Sequence, residues 1–152
     1  MPDGYNGRIL RIDLSASSIS VEEPPQEFYR KYMGGSALGL YYLLNEMPVG
    51  ADPLGPENVL GFTTGFLCST GSVVTGRWMV VTKSPLTGGW GDANCGGDFG
   101  PLMKFAGVDG VLFAGISDKP VYLLSAAAGS HHRAGAPVHN TPDYASSSFH
   151  SL

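Results

Sequence analysis

Charge is the scarcest property of this chain. Only 14% of its 152 residues are charged, against about 25% in an ordinary globular domain. The formal net charge is −4, so the clustered Lys and Arg of a nucleic-acid surface are missing and nucleic acid is excluded as a partner. Cysteine is nearly absent: Cys68 and Cys95 form no CxxC pair. A structural zinc or an iron–sulfur cluster needs about four ligands, so this chain cannot supply a site made of cysteines alone. The two read as free thiols of a reducing cytosol. Histidine is missing before residue 131, which leaves Ser-His or Cys-His nucleophilic catalysis without a base. No GxGxxG follows a strand, and no GxxxxGK[ST] occurs. No apolar run reaches the ~20 residues of a membrane span, and the first residues lack a basic, then apolar, leader. A soluble cytoplasmic protein is expected.

The length allows one domain with a real core. The hydrophobic fraction is 43% and glycine occurs 22 times. Little charge and much glycine imply surface that something else covers, either a partner domain or a large cofactor.

Period-two alternation over RILRIDL (Arg8–Leu14) and SISVEE (Ser18–Glu23) predicts a β-hairpin ended by Pro24-Pro25. Phe28, Tyr29, Tyr32 and Met33 then form the stripe of a first helix. Gly34-Gly35 breaks it, and Ser36 is the expected N-cap of a second helix ending near Met47. That helix, with Leu38, Leu40, Tyr41, Leu43 and Leu44, is apolar nearly all round and is expected to be buried. PVGADPLGPEN (Pro48–Asn58) is a rigid connector. Strands are predicted over Val59–Thr64 and Arg77–Lys83, joined by a Gly/Ser/Thr-rich loop. A short helix follows over Asp98–Gly107, with Pro101 confined to its first turn. Asp109–Ala114 reads as a buried strand, and Val121–Leu124 as a strand pairing back on it. From Ser125 to Leu152 apolar periodicity ends, and His131, His132, His139 and His150 all fall there. This tail is expected to be disordered or non-homologous, with the domain proper over residues 1–124.

The richest segment is TGRWMVVTKSPLTGGWGDANCGG, Thr75 to Gly97. Arg77 opens a strand, where its guanidinium fork suits a phosphate, or is simply a cation at a strand end. Asn94, in a polar loop before Gly96-Gly97, can orient a phosphate or give an oxygen to a hard cation such as Mg²⁺, or can serve as a turn residue. Lys83 reads as a surface lysine. Asp92 and Asp98 flank the loop, either as an acid–base pair or with Asp98 capping a helix. MGGSALG (Met33–Gly39) imitates a phosphate loop weakly and reads equally well as a break between helices.

GRILRIDL, DPLGPENVL, TGRWMVVTKSPLTGG, ANCGGDFGPLMKFAGVDGVLFAG and KPVYL, in that order, resemble the N-terminal domain of the aldehyde ferredoxin oxidoreductase family. The resemblance covers about Gly4 to Leu124. It implies an α+β fold of two packed, mostly antiparallel β-sheets with a few short helices, on which a tungsten or molybdenum bis-pyranopterin lies. It implies that Arg77 sits between the pterin and a 4Fe–4S cluster. Asn94 would lie by the Mg²⁺ that links the pterin phosphates, with Gly96 letting the backbone approach. The family's reaction takes aldehydes to carboxylic acids with a ferredoxin-like electron acceptor. Family members are several times longer, and the cluster cysteines and substrate-side residues of their later domains have no counterpart in this sequence. The expectation is therefore the N-terminal part of such an enzyme, completed by C-terminal domains or a complementary chain, with a homodimer possible. A binding or assembly module without turnover, paired with another chain, is the rival reading.

Overall fold

Alternation in the first strands becomes a two-faced sheet. The computed structural model describes residues 4–126 and 146–151. Strands β1 (Ile9–Asp13) and β2 (Ser18–Glu22) form the predicted hairpin, in register from Ile9↔Glu22 to Asp13↔Ser18. Its turn is closed by the Ala16 N–H donating to Asp13 Oδ1 at 2.9 Å. Helices α1 (Gln26–Tyr32) and α2 (Gly35–Glu46) follow, then β3 (Leu60–Thr64), β4 (Trp78–Lys83) and β5 (Trp90–Cys95). Helix α3 (Phe99–Phe105), β6 (Gly110–Ala114), β7 (Val121–Ala126) and β8 (Ser146–Ser151) complete the order.

Six strands form one sheet in the order β2-β1-β6-β3-β4-β5, and β7 and β8 form a two-stranded sheet. Within the larger sheet only β1 and β6 run parallel. The α+β class and the mostly antiparallel pairing agree with expectation. Helices α1 and α2 cover one face, around Ile9, Tyr29, Leu38, Tyr42, Val81 and Leu112. Helix α3 covers part of the other, around Leu10, Ile12, Met103, Val108 and Val111. Adjacent residues of β1 thus feed opposite cores, as period two requires.

Gly39 sets the distance between α2 and the sheet, because a Cβ there would collide with the Val81 side chain. Gly61 meets the same valine from the neighbouring strand, where a Cβ would lie 2.7 Å from it. The N-terminal segment is tied down by a buried ion pair. Lys104 Nζ lies 3.2 Å from Asp109 Oδ1 and also donates to the Gly4 carbonyl, while Asp109 accepts the N–H groups of Asn6, Gly7 and Arg8.

Several expectations need correction. Ser36 does not cap α2; Gly34 holds that position and no side chain caps it. A Cβ on Gly34 would come within 2.5 Å of the Thr64 carbonyl, so the close approach dictates glycine. Helix α2 is not buried all round: Leu38, Tyr42 and Leu43 are buried, whereas Leu40 and Leu44 are exposed, since a helix on a sheet covers only one stripe. Met33 is likewise exposed and leaves α1 at φ 58°. Asp98 does hold the N-cap position of α3, but it accepts the Leu102 N–H through its backbone, not its side chain. Pro101 lies in that helix's first turn, as predicted.

The stretch expected to be a loop around Asn94 is strand β5, at the edge of the sheet. Strand β7 does not pair back on β6, because both edges of β6 are already taken by β1 and β3. It pairs with β8, from Val121↔Ser151 to Ala126↔Ser146. Strand β8 lies inside the tail expected to be disordered; His150 is in β8, and His131, His132 and His139 lie outside the described residues.

Candidate functional site

The antiparallel pairing of β4 with β5 brings the two ends of the glycine-rich segment together. Met79 stands opposite Asn94 and Val81 opposite Asp92. Directly opposed residues share a face and so do residues two apart, so Arg77, Met79, Asn94 and Asp92 belong to one face of the sheet edge. Arg77 immediately precedes β4, and its carbonyl accepts the Gly65 N–H at 3.0 Å. Its Nη1 donates to Asn94 Oδ1 at 3.3 Å, and both side chains are exposed. A Cβ on Gly96 would lie 3.9 Å from the same nitrogen, and Gly97 adopts φ 83°. A Cβ on Gly76 would be 3.0 Å from the Gly97 carbonyl, so bare backbone is what lets the two strand ends approach. On the opposite face the Trp78 indole donates to the Gly96 carbonyl at 3.1 Å and its ring packs 4.5 Å from Phe99.

The ion pairs of the fold use cations other than Arg77. Arg8 pairs with Glu23, Arg11 with Glu22 and Glu46, and Lys104 with Asp109. Among the described residues no carboxylate lies within ion-pair distance of Arg77; the neutral amide of Asn94 is what it touches. A guanidinium retaining most of its five donors, beside an amide and unsubstituted backbone, is chemically an acceptor site for phosphoryl or carboxylate groups. Among the described residues, no group of three or more His, Cys, Asp or Glu could hold a metal by itself.

The structure thus joins Arg77, Asn94 and Gly96, as the sequence suggested, and separates Lys83 from them. Lys83 sits at the other end of β4, about 20 Å away at ~3.3 Å per residue. Its Nζ donates to the Ala51 carbonyl at 2.5 Å, and its N–H donates to Asn58. Asp92 accepts a hydrogen bond from Ser36 Oγ at 3.1 Å, a link that sequence reasoning missed. That bond brings the start of α2, within MGGSALG, to the same face, where a Gly35 Cβ would pack 3.5 Å from Met79. The missing signal was the β4/β5 register, without which the two glycine-rich segments look unrelated. Both cysteines are free. Burial pushes the Cys68 thiol above its ordinary value, so it is a poor nucleophile and a poor ligand. Among the described residues no helix is long and apolar enough to cross a membrane.

The chain is 48% identical over 120 residues to a tungsten-containing aldehyde ferredoxin oxidoreductase of Pyrococcus abyssi, which covers 79% of the chain and 20% of that protein. It is 50% identical over 120 residues to the enzyme of the same name from Thermococcus kodakarensis, with the same coverage. The chain therefore spans about a fifth of the length of the curated relatives it matches. A solved structure described as the active site complex BamBC of benzoyl coenzyme A reductase with 1,5-dienoyl-CoA superimposes with a TM-score of 0.77 at 33% identity. That match covers 79% of this chain and 18% of the other. The family model for the aldehyde ferredoxin oxidoreductase N-terminal domain matches residues 9–131, and the chain belongs to that family.

Proposed function

We propose that this chain forms the cofactor-cradling N-terminal part of a cytoplasmic oxidoreductase that converts aldehydes to carboxylic acids with a ferredoxin-like acceptor. The observation that carries the reading is the exposed Arg77 guanidinium, free of any carboxylate partner among the described residues, bonded to Asn94 and lying beside Gly96. This donor set suits the phosphoryl groups of a pyranopterin. Arg77 offers a planar fork to phosphate or pterin oxygens. Asn94 offers one oxygen, which would suit a Mg²⁺ bound with those phosphoryl groups, and two amide hydrogens. Gly96, lacking a side chain, leaves room for the cofactor against the strand end. When bound, a tungsten or molybdenum bis-pyranopterin with its 4Fe–4S cluster supplies the two-electron oxidation and the path to the acceptor. This chain's part is to bind, orient and neutralise charge. Cys68 is buried and Cys95 stands alone, so the cluster's thiolates come from polypeptide beyond this sequence.

The similarity to both an aldehyde-oxidising enzyme and a benzoyl coenzyme A reductase supports a division of labour. One N-terminal cradle serves different substrates, and specificity resides in the remaining polypeptide. The apolar outer side of α3, with Phe99, Leu102 and Phe105 exposed, favours a second reading as an assembly module that pairs with another chain without turnover.

Co-expression with the remaining four-fifths of a relative tests both. A complex carrying tungsten and pterin in stoichiometric amount is expected, and Arg77→Ala should lower its pterin content severalfold. Complex formation without metal or pterin favours the assembly module. Undiminished pterin in Arg77→Ala rejects the role given to that residue.

A further inference from the structure

The segment before β1 is held from below and presses on what lies beside it. The Gly4 carbonyl accepts the Lys104 ammonium, and the N–H groups of Asn6, Gly7 and Arg8 converge on the Asp109 carboxylate. Asn6 Nδ2 donates back to the Lys104 carbonyl at 2.9 Å. On its other side this segment meets Phe66. A Cβ on Gly4 would lie 2.9 Å from the Phe66 carbonyl and 3.2 Å from its ring. The Tyr5 ring, stacked on Tyr29, lies 6.2 Å from the same ring.

Phe66 belongs to residues 65–76, which join β3 to β4 and have the marks of a part that opens more easily than the sheet. Leu67, Val73 and Val74 stand in solvent. Ser69 and Val74 hold φ of 65° and 61°, which a β-branched valine adopts only under strain. Glycines at both ends, Gly65 and Gly76, can absorb a rotation. Yet Cys68, inside this stretch, is fully buried. Its N–H donates to the Gly65 carbonyl at 3.0 Å, and a Cβ on Gly100 would lie 3.2 Å from its sulfur.

We propose that residues 4–7 are a strap that latches residues 65–76 as a flap, with the Lys104–Asp109 pair as its buckle. When the strap lets go, Phe66 is freed and the flap turns on Gly65 and Gly76, carrying Cys68 out of its seat. The Gly65 N–H donates to the Arg77 carbonyl at 3.0 Å, so the same motion releases the backbone that leads into β4. The sheet itself stays closed, because its ladder contains neither the strap nor the flap. The motion is independent of what the candidate site binds.

The test uses the full chain carrying Cys95→Ser, which leaves Cys68 as its only thiol. N-ethylmaleimide labelling, followed by mass spectrometry, then reports how often the flap opens. Gly4→Ala pushes a methyl group into Phe66. Gly7→Ala is its control: φ is 79° against 80°, so the backbone strain is the same, but nothing lies within 4 Å of the added Cβ. Labelling in Gly4→Ala should be about tenfold faster than in Gly7→Ala, the scale of one strained contact. Amide exchange at Val81, within the sheet, should be equal in the two. Phe66→Ala trims a side chain already partly in solvent and should also speed labelling severalfold. Equal labelling in the two glycine variants, or Val81 exchange that rises in step with labelling, overturns the strap. So does labelling that Phe66→Ala leaves unchanged.

Discussion

Tyr29 and Tyr42 show how two equally buried side chains can differ in what they contribute. Tyr29 is 1% and Tyr42 2% exposed, in one cluster beneath the helices. The Tyr42 hydroxyl donates to Glu22 Oε1 at 2.9 Å, inside a network in which Arg11 binds both Glu22 and Glu46. The Tyr29 hydroxyl has no hydrogen-bond partner among the described residues, while its ring stacks on Tyr5 at 4.3 Å. Removing a bonded hydroxyl strands its partner, whereas removing an unbonded one relieves desolvation. Tyr42→Phe should therefore destabilise the fold by about 1–2 kcal/mol, and Tyr29→Phe by less than about 1 kcal/mol, or stabilise it. The pH dependence gives a second readout. Burial, aided by Asp109 at Tyr29 and by Glu22 at Tyr42, holds both phenols well above the ordinary tyrosine value. Only the unfolded state then releases these protons near pH 10, so stability is whole below that pH and falls as pH rises through it. Urea midpoints from pH 8 to 11 should show that fall, shallower in Tyr29→Phe; an unchanged slope would mean Tyr29 ionises in the folded state.

Among the elements, legibility followed burial. Strands β1 and β6 and helix α3 were readable because one side of each faces a core and imposes its period on the sequence. Strand β5 was not. At the sheet edge it needs no apolar alternation, and WGDANC carries Asp, Asn and Gly where a central strand would carry Val or Ile. For the same reason the sequence puts Asn94 in a loop, whereas it stands on β5 opposite Met79. The β7 pairing failed for a topological reason: a strand that has partners on both sides cannot accept a third, and sequence does not reveal that β6 lies between β1 and β3. Strand β7 touches the main fold through Leu123, which packs against the α3-side cluster. We propose that the six-stranded sheet folds without the residues beyond it. A chain ending at Leu124 should lose the β7–β8 sheet yet unfold in one cooperative step, its thermal midpoint within about 5 °C of the full chain. A collapse of the far-ultraviolet circular dichroism or of cooperativity on truncation would place residues 125–152 inside the folding unit instead.

For the whole molecule, the low charge becomes legible once the two faces of the sheet are compared. The α1/α2 face is closed by two helices, while among the described residues the other carries the seven-residue α3 and, through Leu123, β7. Among the described residues, open grooves of about 470 and 530 Å³ lie there, sharing Phe62, Phe113 and Leu123 in their walls. Beside them Phe99, Leu102 and Phe105 stand 47%, 62% and 62% exposed, a contiguous apolar ridge of the kind that marks an interaction surface. The chain spans a fifth of its relatives, and we propose that the rest of such a protein covers this face. The isolated chain should accordingly bind anilinonaphthalene sulfonate and self-associate at micromolar concentration. Leu102→Glu with Phe105→Glu should abolish both, with little change in thermal midpoint, because these side chains already face solvent and leave Met103 in the core. Dye binding that persists in the double variant would assign the apolar surface elsewhere, and loss of that binding in Val73→Glu with Val74→Glu would assign it to the exposed valines before Arg77. The cover would then lie over the candidate phosphate site instead of behind it.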